Sequence, residues 1–262
     1  MFDPASFHKL LKTGWLGRRF WYIRSIDSTN RYLHDMPARR LSHGLVCLAD
    51  EQYDGKGQYG RRWSSTEGEN LTFTIVLMPG EVQGLQLFSL ALMYGLKQTV
   101  DTMASCDSRI KWPNDLCISG RKAGGVLTEC RYNGKQIDRM LLGLGVNINQ
   151  TTFPEHLQDT AASVAQFTGG QPLDRALFLA VLLNKLEPLL ERTRDGDLDL
   201  IRDINRCIDG YGKWVSIEVD GKRGDTPVKV LGVNEYGHLL VLDANDDLKS
   251  FTHEQVRFDV TN

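Results

Sequence analysis

Cysteine and histidine are both scarce in this chain. Its 262 residues include five cysteines, an odd number, and six histidines. No two cysteines form a C-x-x-C pair and no two histidines have metal-ligand spacing, which argues against a disulfide framework, a zinc site or any other transition-metal site. We therefore expect a reducing compartment, the cytoplasm. The cysteines are Cys47, Cys106, Cys117, Cys130 and Cys207.

The chain also has no excess of charge of one sign and no long hydrophobic run. It carries 31 Lys and Arg against 33 Asp and Glu, a formal net charge of −2. This balance argues against broad electrostatic binding to nucleic acid, so we expect no DNA partner. The longest apolar stretch, residues 176–183, is too short to cross a bilayer, and no amino-terminal run resembles a cleaved signal. We therefore expect a soluble protein with no membrane partner.

Apolar runs separated by turn signals predict a mixed α/β fold. β-Branched runs at 44–50 and 71–78 are typical of buried strands, whereas apolar residues recur at helical spacing over 85–103 and 173–190. We expect the second of these helices to kink or end at Pro188. The strands and helices together indicate one substantial sheet with helices packed against it.

The hydrophobic pattern of the sequence changes after Gly210. Short alternating strands follow at regular intervals, a pattern typical of a small all-β barrel. We therefore divide the chain into a larger α/β domain, residues 1–210, and a small carboxy-terminal domain, residues 211–262.

A glycine-rich loop, residues 54–63, lies between the two predicted buried strands. It reads DGKGQYGRRW and combines three glycines with three cations. Glycine permits positive φ and close backbone approach, so that consecutive N–H groups can converge on phosphate oxygens while the cations offset the charge of the ligand. The spacing does not match GxxxxGK[ST]. The loop is a candidate anion site, and a flexible exposed loop is the alternative interpretation.

The segment RIKWPNDL, residues 109–116, contains a strand that should stop at Pro113. Proline lacks an N–H and restricts its neighbour, so the strand must end there or lie at an edge. Asn114 and Asp115 are then placed at a strand end, where side chains can meet a ligand. An ordinary surface turn is the alternative, because Pro-Asn-Asp is good turn chemistry anywhere.

Two further segments contain paired or alternating glycines. In residues 120–129, Lys122 precedes Gly124 and Gly125 at the start of a strand. Its ammonium could neutralise a carboxylate and a phosphate at once, although lysine at a strand start is commonly just solvated. In residues 143–149, alternating glycines remove side chains from one face, which leaves room either for a flat ligand or for close packing of a neighbouring element.

Taken together, in this order and spacing, these segments resemble those of biotin protein ligases, the enzymes that attach biotin to carboxylase subunits. Co-occurrence of the segments is far more specific than any one of them, and they cover nearly the whole chain. The matching positions are Ser28-Thr29-Asn30, Glu51-Gln52 before the glycine-rich loop, Lys111 to Asp115, Arg121-Lys122 with Gly124-Gly125 and Glu129, Gly143 to Asn147, and Thr160 to Val164. The resemblance implies a mixed-sheet catalytic domain followed by an SH3-like barrel.

The resemblance also implies roles for single residues, with biotin and ATP bound on one face of the sheet. The residues implied to bind biotin are Ser28, Thr29, Asn30, Gln52, Lys56, Gly57, Gln58, Lys122, Gly124, Gly125, Gly143 and Gly145. Those implied to bind the nucleotide are Lys56, Gln58, Arg61, Trp63, Lys111, Asn114, Asp115, Lys122 and Asn147. Lys122, Arg61 and Asp115 would be catalytic, and Asp115 would also hold Mg²⁺.

The chain departs from the usual pattern of the family in its loop and in its length. Lys56 and Gln58 occupy positions where arginine is common; lysine keeps the charge without the planar fork, and glutamine loses the charge. Only 27 residues precede Ser28, too few for the winged helix with which some members bind DNA. We therefore expect the monofunctional type without a repressor role. The resemblance leaves a homodimer open.

The implied reaction has two steps. The carboxylate of biotin attacks the α-phosphorus of ATP to give biotinyl-5′-AMP and pyrophosphate, and a lysine of a biotin carboxyl carrier protein then attacks the acyl carbon and releases AMP. Lys122, Arg61, loop N–H groups and Mg²⁺ would offset the repulsion between the two anions of the first step. Asp115 would take a proton from the acceptor lysine in the second.

Two alternatives share part of this pattern. A lipoate or octanoate protein ligase has the same architecture and adenylation chemistry, but the basic glycine-rich loop and the KWPND segment favour biotin. A non-catalytic biotin-responsive binding protein would be favoured by loss of Lys122 or of KWPND, and both are present.

Overall fold

A seven-stranded mixed sheet lies at the centre of the protein, which a computed structural model describes over residues 1–79, 84–219, 222–223 and 226–258. The strands are β1 (Phe20–Ile26), β2 (Val46–Gln52), β3 (Leu71–Leu77), β4 (Ser108–Lys111), β5 (Asp115–Ile118), β6 (Arg121–Asn133) and β7 (Gln136–Val146). Their order is β1-β2-β3-β7-β6-β5-β4, with β1 and β2 parallel and all other neighbours antiparallel. The predicted mixed α/β fold is confirmed.

Helices pack on both faces of this sheet. In the described ranges the α-helices are α1 (Pro4–Leu10), α2 (Thr29–Asp35), α3 (Leu85–Ala104), α4 (Arg175–Arg194) and α5 (Leu198–Cys207). Helices α3 and α4 pack together on one face and form the main core with apolar side chains of the sheet. On the other face α2 covers a smaller core, in which Leu33 clusters with Cys47, Val76 and Leu141. In the part of the chain described here, no helix is long and apolar enough to span a bilayer.

Helix α4 continues through Pro188, so of the two predicted outcomes, a kink or an end, the end does not occur. A proline inside a helix removes a backbone hydrogen bond and destabilises the helix by about 3 kcal/mol or more. Apolar side chains are nevertheless buried on both sides of it, including Leu186, Leu189 and Leu190. Their burial against the rest of the core outweighs the local preference of proline.

The short helix α1 is absent from the sequence-based prediction. Its start signal is nevertheless clear, because Asp3 Oδ1 accepts hydrogen bonds from the N–H groups of Ala5 (2.9 Å) and Ser6 (3.2 Å), and Pro4 occupies the first turn. Seven residues are too few to show an apolar period. Fully buried Phe7 attaches the helix to the main core.

Short strands follow α5 and form two small antiparallel sheets. They are β8 (Trp214–Val215), β9 (Ile217–Val219), β10 (Lys222–Arg223), β11 (Val228–Val233), β12 (Leu239–Leu242), β13 (Leu248–Phe251) and β14 (Val256–Phe258). One sheet has the order β10-β9-β14 and the other β13-β12-β11-β8. Asn205 of α5 joins them to the larger unit through two hydrogen bonds with backbone groups of Val233, at 2.7 and 3.2 Å.

A carboxylate on α4 holds the segment between α1 and β1. The side chain of Glu187 accepts hydrogen bonds from the backbone N–H groups of Gly14, Trp15 and Leu16, the last two at 2.8 and 2.7 Å. Partial burial raises the pKa of Glu187, but these three hydrogen bonds outweigh it and leave the pKa below its ordinary value. The charged form of Glu187 therefore stabilises the folded protein.

Replacing Glu187 by glutamine should destabilise the protein at neutral pH by about 1–3 kcal/mol, because one neutral oxygen replaces a charged acceptor of three N–H groups. The folded pKa lies below the unfolded value of about 4.3, so this contribution is present above about pH 4.3 and is lost as the pH falls through the folded pKa. Urea unfolding across this range should show a wild-type advantage that shrinks on acidification.

The matched control for this substitution is Glu191→Gln. Glu191 accepts a side-chain hydrogen bond from Trp15 Nε1 at 2.9 Å and should give a smaller loss. A difference between wild type and Glu187→Gln that stays constant with pH would contradict the assignment.

Candidate active site

A cavity of about 770 Å³ lies on the face of the sheet that carries α2. Ligand pockets of proteins typically have volumes of about 300–1,000 Å³. The walls come from the glycine-rich loop, from α2, from residues of β4 to β7 and from the carboxy-terminal residues His253 and Val256. The structure brings together around this cavity every residue that the sequence predicted for the site, except Gly124.

The paired glycines of β6 point to opposite faces of the sheet. A Cβ on Gly124 would lie 3.0 Å from Leu96 of α3, so this glycine permits close packing of the helix on the core side. A Cβ on Gly125 would lie 2.8 Å from Asp115 Oδ1 and 3.1 Å from Lys122 Nζ. Gly125 therefore makes room in the cavity for these two charged groups.

The alternating glycines of β7 make room for protein side chains. A Cβ on Gly143 would lie 2.4 Å from Asn30 Oδ1, and one on Gly145 would lie 2.3 Å from the indole carbon Cε2 of Trp63. Both glycines thus allow a side chain to pack closely, and the two packed side chains themselves form part of the cavity wall, while contacts of these glycines with biotin stay predictions. Trp63 Nε1 is buried and has no hydrogen-bond partner within the described residues.

A polar network lies at the start of α2. Gln52 Oε1 accepts hydrogen bonds from both the backbone N–H (2.7 Å) and the hydroxyl (3.0 Å) of Thr29. Thr74 Oγ1 lies 2.7 Å from Thr29 Oγ1 and 2.6 Å from Asn30 Oδ1, and Asn30 Nδ2 donates to Glu129 at 2.8 Å. Ser28 caps the helix and is buried. The network fixes the orientation of these hydrogen-bond donors and acceptors, and a polar ring of a ligand could form hydrogen bonds with them.

Lys122 and Asp115 form an ion pair in the cavity, with Nζ 2.7 Å from Oδ1. The side chain of Lys122 is 40% exposed and that of Asp115 is 24% exposed, so a ligand can reach both. The backbone of Lys122 is fixed by hydrogen bonds with Thr160 (2.7 Å) and Ala162 (2.8 Å). Its ammonium also lies 5.8 Å from the ring centre of Trp63, within the range of a cation–π interaction.

The two predicted asparagines brace the backbone around this ion pair. Asn114 Nδ2 donates to the carbonyl of Val126 at 2.7 Å, and Asn147 Nδ2 donates to that of Ala162 at 3.0 Å. Both side chains are buried. Lys111 lines the same part of the cavity. The amide nitrogens of the asparagines thus have structural partners, whereas phosphate or metal contacts of these residues stay predictions.

The glycine-rich loop folds as a short hairpin. Gly57 N–H donates to the carbonyl of Arg61 at 2.7 Å, and Trp63 N–H donates to that of Gly55 at 2.9 Å. The backbones of Lys56 and Arg62 form an isolated antiparallel β-bridge. The side chains of the three cations are exposed. The loop therefore has a defined backbone that presents cations beside the cavity.

Several cavity residues lack a local signal in the sequence. Cys117 follows Asp115 on β5, and Asp209 and His253 come from distant parts of the chain. Burial, followed by the nearby Asp115 carboxylate, raises the pKa of Cys117 to about 11. The thiol is therefore protonated at neutral pH and unsuited to nucleophilic catalysis.

Replacing Gly145 by alanine should disturb the cavity, because the new methyl group would displace the Trp63 indole. We expect a change in tryptophan fluorescence and a thermal midpoint lower by several degrees, in line with the 1–3 kcal/mol that overpacking typically costs (about 4 °C or less per kcal/mol for a chain of this size). Gly57→Ala is the control, since its Cβ would meet the nearest atom at 3.5 Å. An unchanged spectrum and midpoint for Gly145→Ala would refute the packing described above.

Comparisons of the sequence and of the structure with known proteins both find biotin protein ligases. Residues 22–147 match the model of the biotin/lipoate A/B protein ligase family. The bifunctional ligase/repressor BirA of Bacillus subtilis is 29% identical over 244 residues, which are 91% of this chain and 74% of that protein.

Two further relatives extend the comparison. The biotin–[acetyl-CoA-carboxylase] ligase of Mycobacterium tuberculosis is 27% identical over 219 residues, 80% of this chain and 77% of that protein. The structure of biotin protein ligase from Aquifex aeolicus in complex with biotin and ATP superposes with a TM-score of 0.80 at 26% identity, covering 92% of this chain and all of that one. The chain therefore contains a biotin/lipoate A/B protein ligase family domain, residues 22–147, and is similar over most of its length to biotin protein ligases.

Proposed function

We propose that this protein is an ATP-dependent biotin protein ligase, which makes biotinyl-5′-AMP and transfers biotin to a lysine of a biotin carboxyl carrier protein. The observation that carries the proposal is the Lys122–Asp115 pair in a cavity lined by the cationic glycine-rich loop. The similarity to ligases named for biotin, and to a structure named for its complex with biotin and ATP, supports the choice of substrates.

The polar network at the start of α2 suits the ureido ring of biotin. A ureido group offers one carbonyl acceptor and two N–H donors, and the network provides hydroxyl and amide groups of Ser28, Thr29, Gln52 and Asn30 in fixed positions. The Trp63 indole over Gly145 would give an apolar wall for the rest of the molecule. Biotin would then reach from α2 towards Lys122 with its carboxylate.

Adenylation requires two anions to approach each other. The Lys122 ammonium would turn from Asp115 towards the biotin carboxylate and the α-phosphate, and Arg61 would add a second positive charge. Such pre-positioned charges act where negative charge develops, which is commonly the largest catalytic contribution. Lys56, Gln58 and Lys111 would complete the nucleotide end, and the hairpin of the loop would keep water from the mixed anhydride.

Mg²⁺ fits the residues present, although the described residues contain no group of three or more His, Cys, Asp or Glu that could form a protein cage. Magnesium is usually held by one or two carboxylates together with substrate phosphates and water. Asp115 is a suitable ligand, because its carboxylate lines the cavity and its side chain is 24% exposed. Bound Mg²⁺ would neutralise part of the triphosphate charge.

In the second step Asp115 would take a proton from the acceptor lysine. A free lysine has a pKa of about 10.4, so its amine must lose a proton before it attacks the acyl carbon. The carboxylate of Asp115 is accessible and lies beside the residue that would hold the acyl phosphate.

The carboxy-terminal unit and the setting of the protein complete the proposal. We assign residues 211–262 to an SH3-like domain, supported by two small antiparallel sheets of short strands. All five cysteines are unpaired, which suits the cytoplasm. A homodimer stays a prediction.

Pyrophosphate exchange with the purified protein tests the proposal and its main alternative. We expect exchange that depends on biotin and not on lipoate or octanoate, together with transfer of biotin to a carrier protein. Exchange dependent on lipoate or octanoate would instead establish the related ligase class, and binding of biotin without exchange would establish a non-catalytic binding protein.

Replacing Lys122 by alanine should lower the rate of biotin-dependent exchange by about 100-fold or more, the usual effect of removing a charge-stabilising donor. Lys135→Ala, in the exposed turn between β6 and β7, is the control and should retain exchange. Circular dichroism should show that both variants are folded. Near-normal adenylation by Lys122→Ala would refute the assignment.

A further inference from the structure

The tip of the glycine-rich loop contacts the carboxy-terminal unit. Tyr59 Oη donates a hydrogen bond to the carbonyl oxygen of His253 at 3.0 Å, although the two residues are 194 positions apart. His253 lies between β13 and β14, and together with Val256 it lines the same cavity as the loop. One part of the cavity wall thus depends on a contact between distant segments of the chain.

Tyr59 also has an unusual backbone conformation. Its φ of 57° and ψ of 32° are left-handed, and Gly60 follows with φ of 72°. Glycine adopts this region freely, but a bulky residue does so at a free-energy cost and only where its surroundings hold it. One backbone hydrogen bond between Gly57 and Arg61 and another between Gly55 and Trp63 fix the base of the hairpin. The hydrogen bond from Tyr59 to the His253 carbonyl lies where it can hold the tip of the hairpin.

The carboxy-terminal unit contacts the opposite part of the cavity wall as well. Trp112 Nε1 donates to the carbonyl of Gly237 at 3.0 Å, in the turn between β11 and β12. Trp112 precedes Pro113, Asn114 and Asp115, all of which line the cavity. The carboxy-terminal unit therefore contacts both the tip of the glycine-rich loop and the segment that precedes Asp115.

We propose that Tyr59 is a positioning residue, whose hydrogen bond to the His253 carbonyl holds the glycine-rich loop closed and slows release of biotinyl-5′-AMP. The part that concerns the adenylate rests on the proposed function. Tyr59 is 56% exposed, so water can replace its hydrogen bond to the His253 carbonyl when the loop opens. Substrates can therefore enter readily. A bound anion that contacts the loop cations then stabilises the closed conformation of the loop further.

Limited trypsin digestion of the ligand-free protein tests loop closure. Trypsin cleaves after Lys56, Arg61 and Arg62 only when the loop can leave its hairpin. Tyr59→Phe keeps the ring and removes the hydroxyl, and we expect loop cleavage to become about three- to tenfold faster, as loss of one hydrogen bond predicts. Mass spectrometry should show no change in cleavage after Lys135, in an exposed turn elsewhere.

The matched control is Tyr132→Phe, which removes a hydroxyl from a tyrosine of β6 that is 57% exposed. It should digest like the wild type. Equal rates of loop cleavage in Tyr59→Phe and wild type would overturn the proposal. A lower thermal midpoint with faster cleavage at all sites would also overturn it, because the hydroxyl would then stabilise the whole fold.

Adenylate retention tests the consequence for the reaction. Adenylate formed in place should dissociate about three- to tenfold faster from Tyr59→Phe than from wild type, while its rate of formation at saturating biotin and ATP stays the same. Equal dissociation rates would overturn the link to retention. If the wild type forms no adenylate, the proposed function fails, whereas the digestion comparison still decides whether Tyr59 closes the loop.

Discussion

The contact between the Lys122 ammonium and the Asp115 carboxylate is the interaction around which the cavity is arranged. Two opposite charges 2.7 Å apart occupy a space that Gly125 leaves open. The backbone of Lys122 is tied to the segment at 160–162, and Asn147 donates to the same segment. The sheet, the loop and this segment therefore fix where a positive charge can meet a ligand.

Each glycine of the site makes room for a different neighbouring group. Gly124 admits α3 on the core side, Gly125 admits the ion pair, and Gly143 and Gly145 admit Asn30 and Trp63. The strands β6 and β7 thus combine close helix packing with a concave opposite face. The side chains that fill these spaces come from α3 at Gly124, from α2 at Gly143 and from the glycine-rich loop at Gly145, whereas those at Gly125 come from the sheet strands β5 and β6.

The sequence was sufficient for the architecture and for the neighbourhood of the site, but not for its inner contacts. Periodicity and turn residues located strands of the large sheet, and the motifs converge because β5, β6 and β7 are neighbours and only β3 separates β7 from β2. The sequence did not predict that Gly124 lies against α3 on the core face of the sheet, because this depends on the strand register. His253 reaches the cavity only through the packing of the carboxy-terminal sheets, which no local pattern encodes.

In the proposed reaction Asp115 would have three partners in turn. Without ligand it neutralises Lys122, which avoids a lone positive charge beside the cation-rich loop. Two anionic substrates would draw the ammonium away by their negative charge, and the Asp115 carboxylate could then hold Mg²⁺. After pyrophosphate leaves, the same carboxylate can accept a proton from the incoming lysine. One ion pair can therefore serve both half-reactions, because each step releases the group that the next step requires.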